Sequence, residues 1–241
     1  MAEIDDADHL IGMRGLQSEF QRLLLQADPE TPVLSCGSWT VRELAEHLGS
    51  VHVWAAGKVL GERVRVDAPS AFSQESDPAA AVVAQYAASA QLLREALAAV
   101  PADHRCQTLI GEGPASFWSR RQSHETLIHL WDLSTALDVT MPNIEREIWA
   151  DCVDEVVTVM HPRQIQLDRV AAPQLPVRLI ALDAQREWQL ASAPADSPSA
   201  VISGQADELA LLLWGRRDLE DLSVSGDRSR VESMLAPALT P

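Results

Sequence analysis

The segment Ser119–Leu137, SRRQSHETLIHLWDLSTAL, carries four groups able to bind a metal or move a proton: His124, Glu125, His129 and Asp132. Its apolar residues recur at helical spacing, so helix geometry decides which of the four can act together. At about 100° per residue, Glu125 and His129 lie one turn apart and about 40° from each other. Asp132 falls on the same stripe, as do Trp118, Arg121 and Gln122. His124 points about 100° away, and its spacing of five to His129 does not match the four that a zincin helix requires. Glu125 with His129 is therefore the candidate pair. The opposite face, Leu127, Leu130, Leu133 and Leu137, is apolar. The spacing is equally compatible with a solvated polar face that holds a surface Glu–His pair.

A second helical stretch, TVRELAEHLGSVHVWAAGKVL, offers His47 and His52 on either edge of the stripe Leu44, Leu48, Val51 and Ala55. The two histidines lie about 140° apart and do not converge on one ion. Glu43 and His47 form a competing pair four residues apart. Periodicity does not choose among these. Cys36, Cys106 and Cys152 are widely spaced and odd in number, which argues against a disulfide framework or a multi-cysteine zinc site and favours small core residues.

These groups need a scaffold, and the first 160 or so residues read as helices. Leu10, Met13, Leu16, Phe20, Leu23 and Leu24 set a helical period over residues 7–26. Thr40, with Glu43 three residues on, is a capping box that opens a helix to about Leu60. Asp77-Pro78 starts an alanine-rich helix that ends before Pro101. A loop with Gly111, Gly113 and Pro114 follows, then helices over residues 115–137 and 144–161. After Pro162 the pattern changes. Residues 175–182, 187–191, 201–203 and 222–224 read as strands, 205–213 and 229–235 as helices, and the Ala/Pro/Ser stretch 191–200 as a loop. The expected fold is a four- to five-helix bundle over residues 1–162, followed by a small α+β domain over 163–241.

The chain has 241 residues, 46% of them hydrophobic and 22% charged, a globular composition. Its net charge of −16 opposes broad contact with nucleic acid. No apolar run reaches the roughly 18–20 residues that span a bilayer. The start, MAEIDDADHL, is acidic where a signal peptide is basic and then apolar. The expectation is a cytoplasmic protein with no nucleic-acid or membrane partner, monomeric or a small homo-oligomer.

Three phrases carry a family resemblance. WTVRELAEHLGSVHVWA at Trp39–Ala55 and RRQSHETLIHLWD at Arg120–Asp132 resemble the two signatures of the mycothiol-dependent maleylpyruvate isomerase family, one of the DinB-like metal-binding bundles. VISGQADELALLLWGRR at Val201–Arg217, followed by LSVSGD at Leu222–Asp227, resembles that family's smaller C-terminal domain. The resemblance implies a divalent metal, usually zinc, held by His47, Glu125 and His129, and thereby selects His47 over His52. Such a set leaves a coordination position open, as a catalytic site requires. It further implies mycothiol or a related small thiol as cofactor, a small anionic or electrophilic substrate, and either cis–trans isomerisation or thiol S-transfer. An arginine of the C-terminal domain, Arg216 or its neighbour Arg217, is implied to shape the cleft; Arg121 is a further cationic candidate. Asp132 is placed to orient a ligand histidine. The alternatives are a metal-dependent hydrolase of thiol conjugates and a non-catalytic ligand-binding bundle.

Overall fold

The computed structural model describes residues 4–64, 78–173, 176–190, 200–236 and 239–240. It divides into two compact units, Met1–Pro142 and Asn143–Pro241.

The first unit is a four-helix bundle built from α1 (Asp6–Leu24), α2 (Val41–Leu60), α3 (Pro78–Ala98) and α4 (Ser116–Ala136). Both of the first two helices open on a reciprocal capping box. In α1 the partners are Asp5 and Asp8; in α2 they are Thr40 and Glu43, as the sequence pattern predicts. Helix α2 stops at Gly61, whose φ of 70° is the left-handed conformation that glycine adopts without steric cost. The helices meet in a ring: α1 packs on α4, α4 on α2, α2 on α3 and α3 on α1. Met13, Phe20, Leu44, Leu48, Leu93, Leu127, Leu130 and Leu133 fill its centre. Between α3 and α4 the expected loop is an antiparallel hairpin, β1 (Arg105–Thr108) with β2 (Gly111–Pro114). The glycine- and proline-rich composition of β2 hides it, because strand propensity is low there while backbone pairing still forms.

The second unit holds α5 (Arg146–Glu155), α6 (His161–Gln166), a four-stranded sheet, α7 (Ala206–Leu213) and α8 (Arg228–Leu235). The strands β3 (Val177–Ala181), β4 (Arg186–Leu190), β5 (Ala200–Gly204) and β6 (Ser223–Ser225) lie in the order β4-β3-β5-β6. Only β3 and β5 are parallel, with Leu179 opposite Ile202. Val177, Leu179, Ala181, Ala200, Ile202 and Gly204 are all buried, and α7 lies against β3 and β5.

Two further features differ from the sequence expectation. The units divide at Pro142, whereas the sequence reading sets the boundary at Pro162; α5 lies in the second unit and packs on α7 there. Helix α5 also does not end at His161: it passes through a π-helical stretch, Val156–Met160, into α6. Pro162 has no N–H for the carbonyl four residues back, and widening the turn accommodates the missing bond without ending the helix. The stretch 191–199, expected to be a loop, lies outside the described residues.

Candidate metal centre

Helices α2 and α4 bring His47, Glu125 and His129 together. Glu125 Oε1 is 3.6 Å from His47 Nε2 and 3.4 Å from His129 Nε2. One donor atom from each residue lies within 4.8 Å of the other two. The expected polar stripe of α4 is not solvated: Gln122 and Asp132 are fully buried, and Glu125 and His129 nearly so. The more open edge is His47, whose side chain is 35% exposed, against 4% for His129 and 11% for Glu125.

The spacings bear on what the three can hold. Hydrogen bonds between nitrogen and oxygen run about 2.7–3.2 Å, shorter than both separations. Ligand bonds of about 2.0–2.1 Å in a tetrahedral zinc site place neighbouring donor atoms about 3.3–3.4 Å apart. The two edges that meet at Glu125 are close to that spacing, and two imidazoles with one carboxylate are a donor set suited to a divalent ion with a coordination position to spare.

Neighbouring groups set the charge. The Arg121 guanidinium, one turn before Glu125 on α4, bonds its Oε2 and is itself buried. Burial alone would raise the Glu125 carboxyl, but the Arg121 charge and the two histidines outweigh it and hold it well below the usual range. Arg121 is thus a counter-ion of Glu125. Burial likewise works against charge on His129, but hydrogen bonding to Asp132 and Cys36 and the neighbouring Glu125 charge prevail and hold its imidazole well above the usual value.

Asp132 is fully buried and accepts from His129 Nδ1 at 2.9 Å and from Ser35 Oγ at 2.6 Å. The Cys36 thiol reaches its other oxygen, the one bonded to His129, at 3.4 Å. Ser35 and Cys36 belong to a 3₁₀ turn, Leu34–Cys36, that sequence reasoning passes over; nothing in its local composition signals the contact. Trp39 packs against His47 with the rings tilted 47° and their centroids 4.8 Å apart, a second contact that the sequence does not announce.

The competing histidine is committed elsewhere. His52 is fully buried, with Nδ1 2.8 Å from Gln122 Oε1 and Nε2 3.3 Å from Gln17 Nε2. Arg94 Nη1 donates to Gln17 Oε1 at 2.6 Å, so one polar chain joins α3, α1, α2 and α4 across the bundle. Glu43, the other rival, is occupied by its cap: its Oε2 accepts from the Thr40 amide at 2.8 Å. His124 faces away and packs edge-on against His9. Arg216 belongs to the second unit, where Nη1 donates to the Trp214 carbonyl at 2.9 Å.

The model of the mycothiol maleylpyruvate isomerase N-terminal domain matches residues 17–134, and the model of the same family's C-terminal domain matches residues 147–233. The chain belongs to the mycothiol-dependent maleylpyruvate isomerase family. The N-terminal match takes in α2 and all but the last two residues of α4, and hence the whole cluster. Two crystal structures are similar to the chain: the mycothiol-dependent maleylpyruvate isomerase and a histidine-to-alanine mutant of it. Their TM-scores are 0.68 and 0.69 at 19% identity, over 93% of this chain and 96% of theirs. That likeness shows a shared fold. No curated protein sequence matches the chain significantly. Among the described residues, no helix is long and apolar enough to cross a membrane.

Proposed function

We propose that this family enzyme holds a divalent cation, zinc by the character of its donors, at His47, Glu125 and His129, and uses mycothiol to isomerise a small electrophilic, anionic substrate of the maleylpyruvate type in the cytoplasm. The observation that carries the metal reading is the pair of separations, 3.4 and 3.6 Å, too long for good hydrogen bonds and close to a tetrahedral edge. When bound, the cation supplies the positive charge that keeps a coordinating thiol deprotonated near neutral pH.

The chain's own residues prepare that chemistry. Arg121 keeps Glu125 ionised and balances its charge. With Asp132 also anionic, these groups and a divalent cation sum to one net positive charge, which favours a thiolate or a carboxylate as the next ligand. His47 forms the exposed edge, by which thiol and substrate approach. Addition of the thiol sulfur to one carbon of a conjugated cis double bond leaves a single bond that can rotate. Elimination of the same thiol then restores the double bond as trans, with no net change in the thiol. Arg216 is proposed, on the family resemblance, to bind the substrate carboxylate.

The test is turnover of maleylpyruvate with and without mycothiol, added zinc and chelator. The expected result is isomerisation that requires both thiol and metal and is lost in His129→Ala. Arg216→Ala should raise KM more than it lowers kcat. Turnover without thiol would overturn the mechanism, and accumulation of a thiol conjugate without isomerisation would mark a transferase.

A further inference from the structure

We infer that Ser35 and Cys36 are positioning residues, which act through Asp132 to fix the ring of His129 for its place in the metal centre; the inference rests on the metal reading above. Asp132 stands at the junction. It is fully buried, its Oδ1 takes the Ser35 hydroxyl, and its Oδ2 takes both the His129 Nδ1–H and the Cys36 thiol. A carboxylate is acceptor-only, so Nδ1 carries a proton whatever the charge on the ring. The ring nitrogen left to exchange a proton for a cation is Nε2, the one 3.4 Å from Glu125.

A lone carboxylate could rotate about its side-chain torsions and release the ring. The two further donors close off that freedom, and they come from nearly a hundred residues away in the chain. The turn that bears them is itself fastened. Val33 N bonds the Trp39 carbonyl at 2.7 Å, Cys36 N bonds the Val33 carbonyl at 2.8 Å, and Pro32 bridges to Thr40. Trp39 packs against the ring of His47, and Thr40 caps α2. One short segment, Pro32–Thr40, therefore bears on the ligand histidine of each helix: on His47 through Trp39, and on His129 through Ser35, Cys36 and Asp132. Partners that orient a ligand histidine are commonly worth about 10–100-fold in metal affinity.

Two readouts test this in the full-length chain. In metal-free protein, proton NMR should show a His129 Nδ1–H resonance protected from solvent exchange. Protection should fall at least tenfold in Ser35→Ala, fall further in Asp132→Asn, whose neutral amide is a weaker acceptor, and survive in Ser35→Thr, which keeps the hydroxyl. Zinc affinity, measured against a chromophoric chelator, should weaken about 10–100-fold in Asp132→Asn and by a smaller factor in Ser35→Ala and Cys36→Ala. Circular dichroism checks that each variant keeps the helical content of the parent. Unchanged protection in Ser35→Ala and Asp132→Asn overturns the positioning role, whether or not zinc binds. Unchanged zinc affinity in all three variants overturns it as well. Absence of zinc binding by the parent chain, with the protection pattern as expected, instead removes the metal reading and leaves the clamp.

Discussion

His52 makes the stability of the bundle depend on pH in a way that one substitution isolates. Its imidazole is fully buried, and burial pushes it down to about 4; the hydrogen bond with Gln122 and the charge of Glu125 offset that only in part. The Gln17 amide explains why protonation is unwelcome. Its Oε1 is taken by Arg94, so its Nε2 faces the ring as a donor, and a proton on His52 Nε2 would meet another proton. In the unfolded chain the same ring titrates near 6.5. Above 6.5 both states are neutral and His52 adds no pH dependence. Below it the unfolded state takes up a proton that the folded state refuses, so stability is lost as pH falls toward about 4. At about 1.4 kcal/mol per pH unit, the full loss is about 3 kcal/mol, of which about 2 kcal/mol is spent by pH 5. The assay is urea unfolding of metal-free protein, with chelator throughout, at pH 7, 6 and 5, followed by far-UV circular dichroism. His52→Gln should be less stable than the parent at pH 7, yet lose about 2 kcal/mol less between pH 7 and pH 5. Equal pH dependence in the two proteins would refute the argument.

Other perturbations follow from the same structure. Glu125→Ala strands the buried Arg121 guanidinium and should cost about 3 kcal/mol in chemical denaturation, even without metal. Asp154→Ala, in the second unit, removes the acceptor of Trp188 Nε1 at 2.9 Å and of Arg186 Nη2 at 3.2 Å; a loss of about 1–3 kcal/mol is expected in the same assay. Thr40→Ala removes the cap of α2 and should lower stability by about 1 kcal/mol, seen as a lower urea midpoint. At Gly57 a methyl group would sit 2.8 Å from the Glu62 carbonyl oxygen, so Gly57→Ala should lower the melting temperature despite alanine's better helix propensity.

The long helices were legible because their signals are local. Period, capping box and terminal glycine act within a few residues, and α1 to α4 begin and end within about two residues of the expected positions. The hairpin β1–β2 escaped because glycine and proline mask strand character, and the run through Pro162 escaped because a π turn absorbs a signal that ordinarily stops a helix. At the site, spacing on α4 singles out Glu125 with His129, and the family resemblance adds His47. What excludes His52 and Glu43 is tertiary for one and local for the other. Gln17 and Gln122 occupy His52 from α1 and α4, with Arg94 of α3 holding Gln17, while the Thr40 cap occupies Glu43 next door. The burial of the polar stripe and the Ser35–Cys36 turn depend on how α2 and the turn pack against α4, which no periodicity records.

The central claim is that His47, Glu125 and His129 form a metal centre, and metal stoichiometry tests it most directly. After exposure to zinc and removal of excess, the parent chain should retain one zinc per molecule by elemental analysis, while His47→Ala and His129→Ala each retain far less. A parent chain that holds no zinc, or variants that hold as much as the parent, would contradict it.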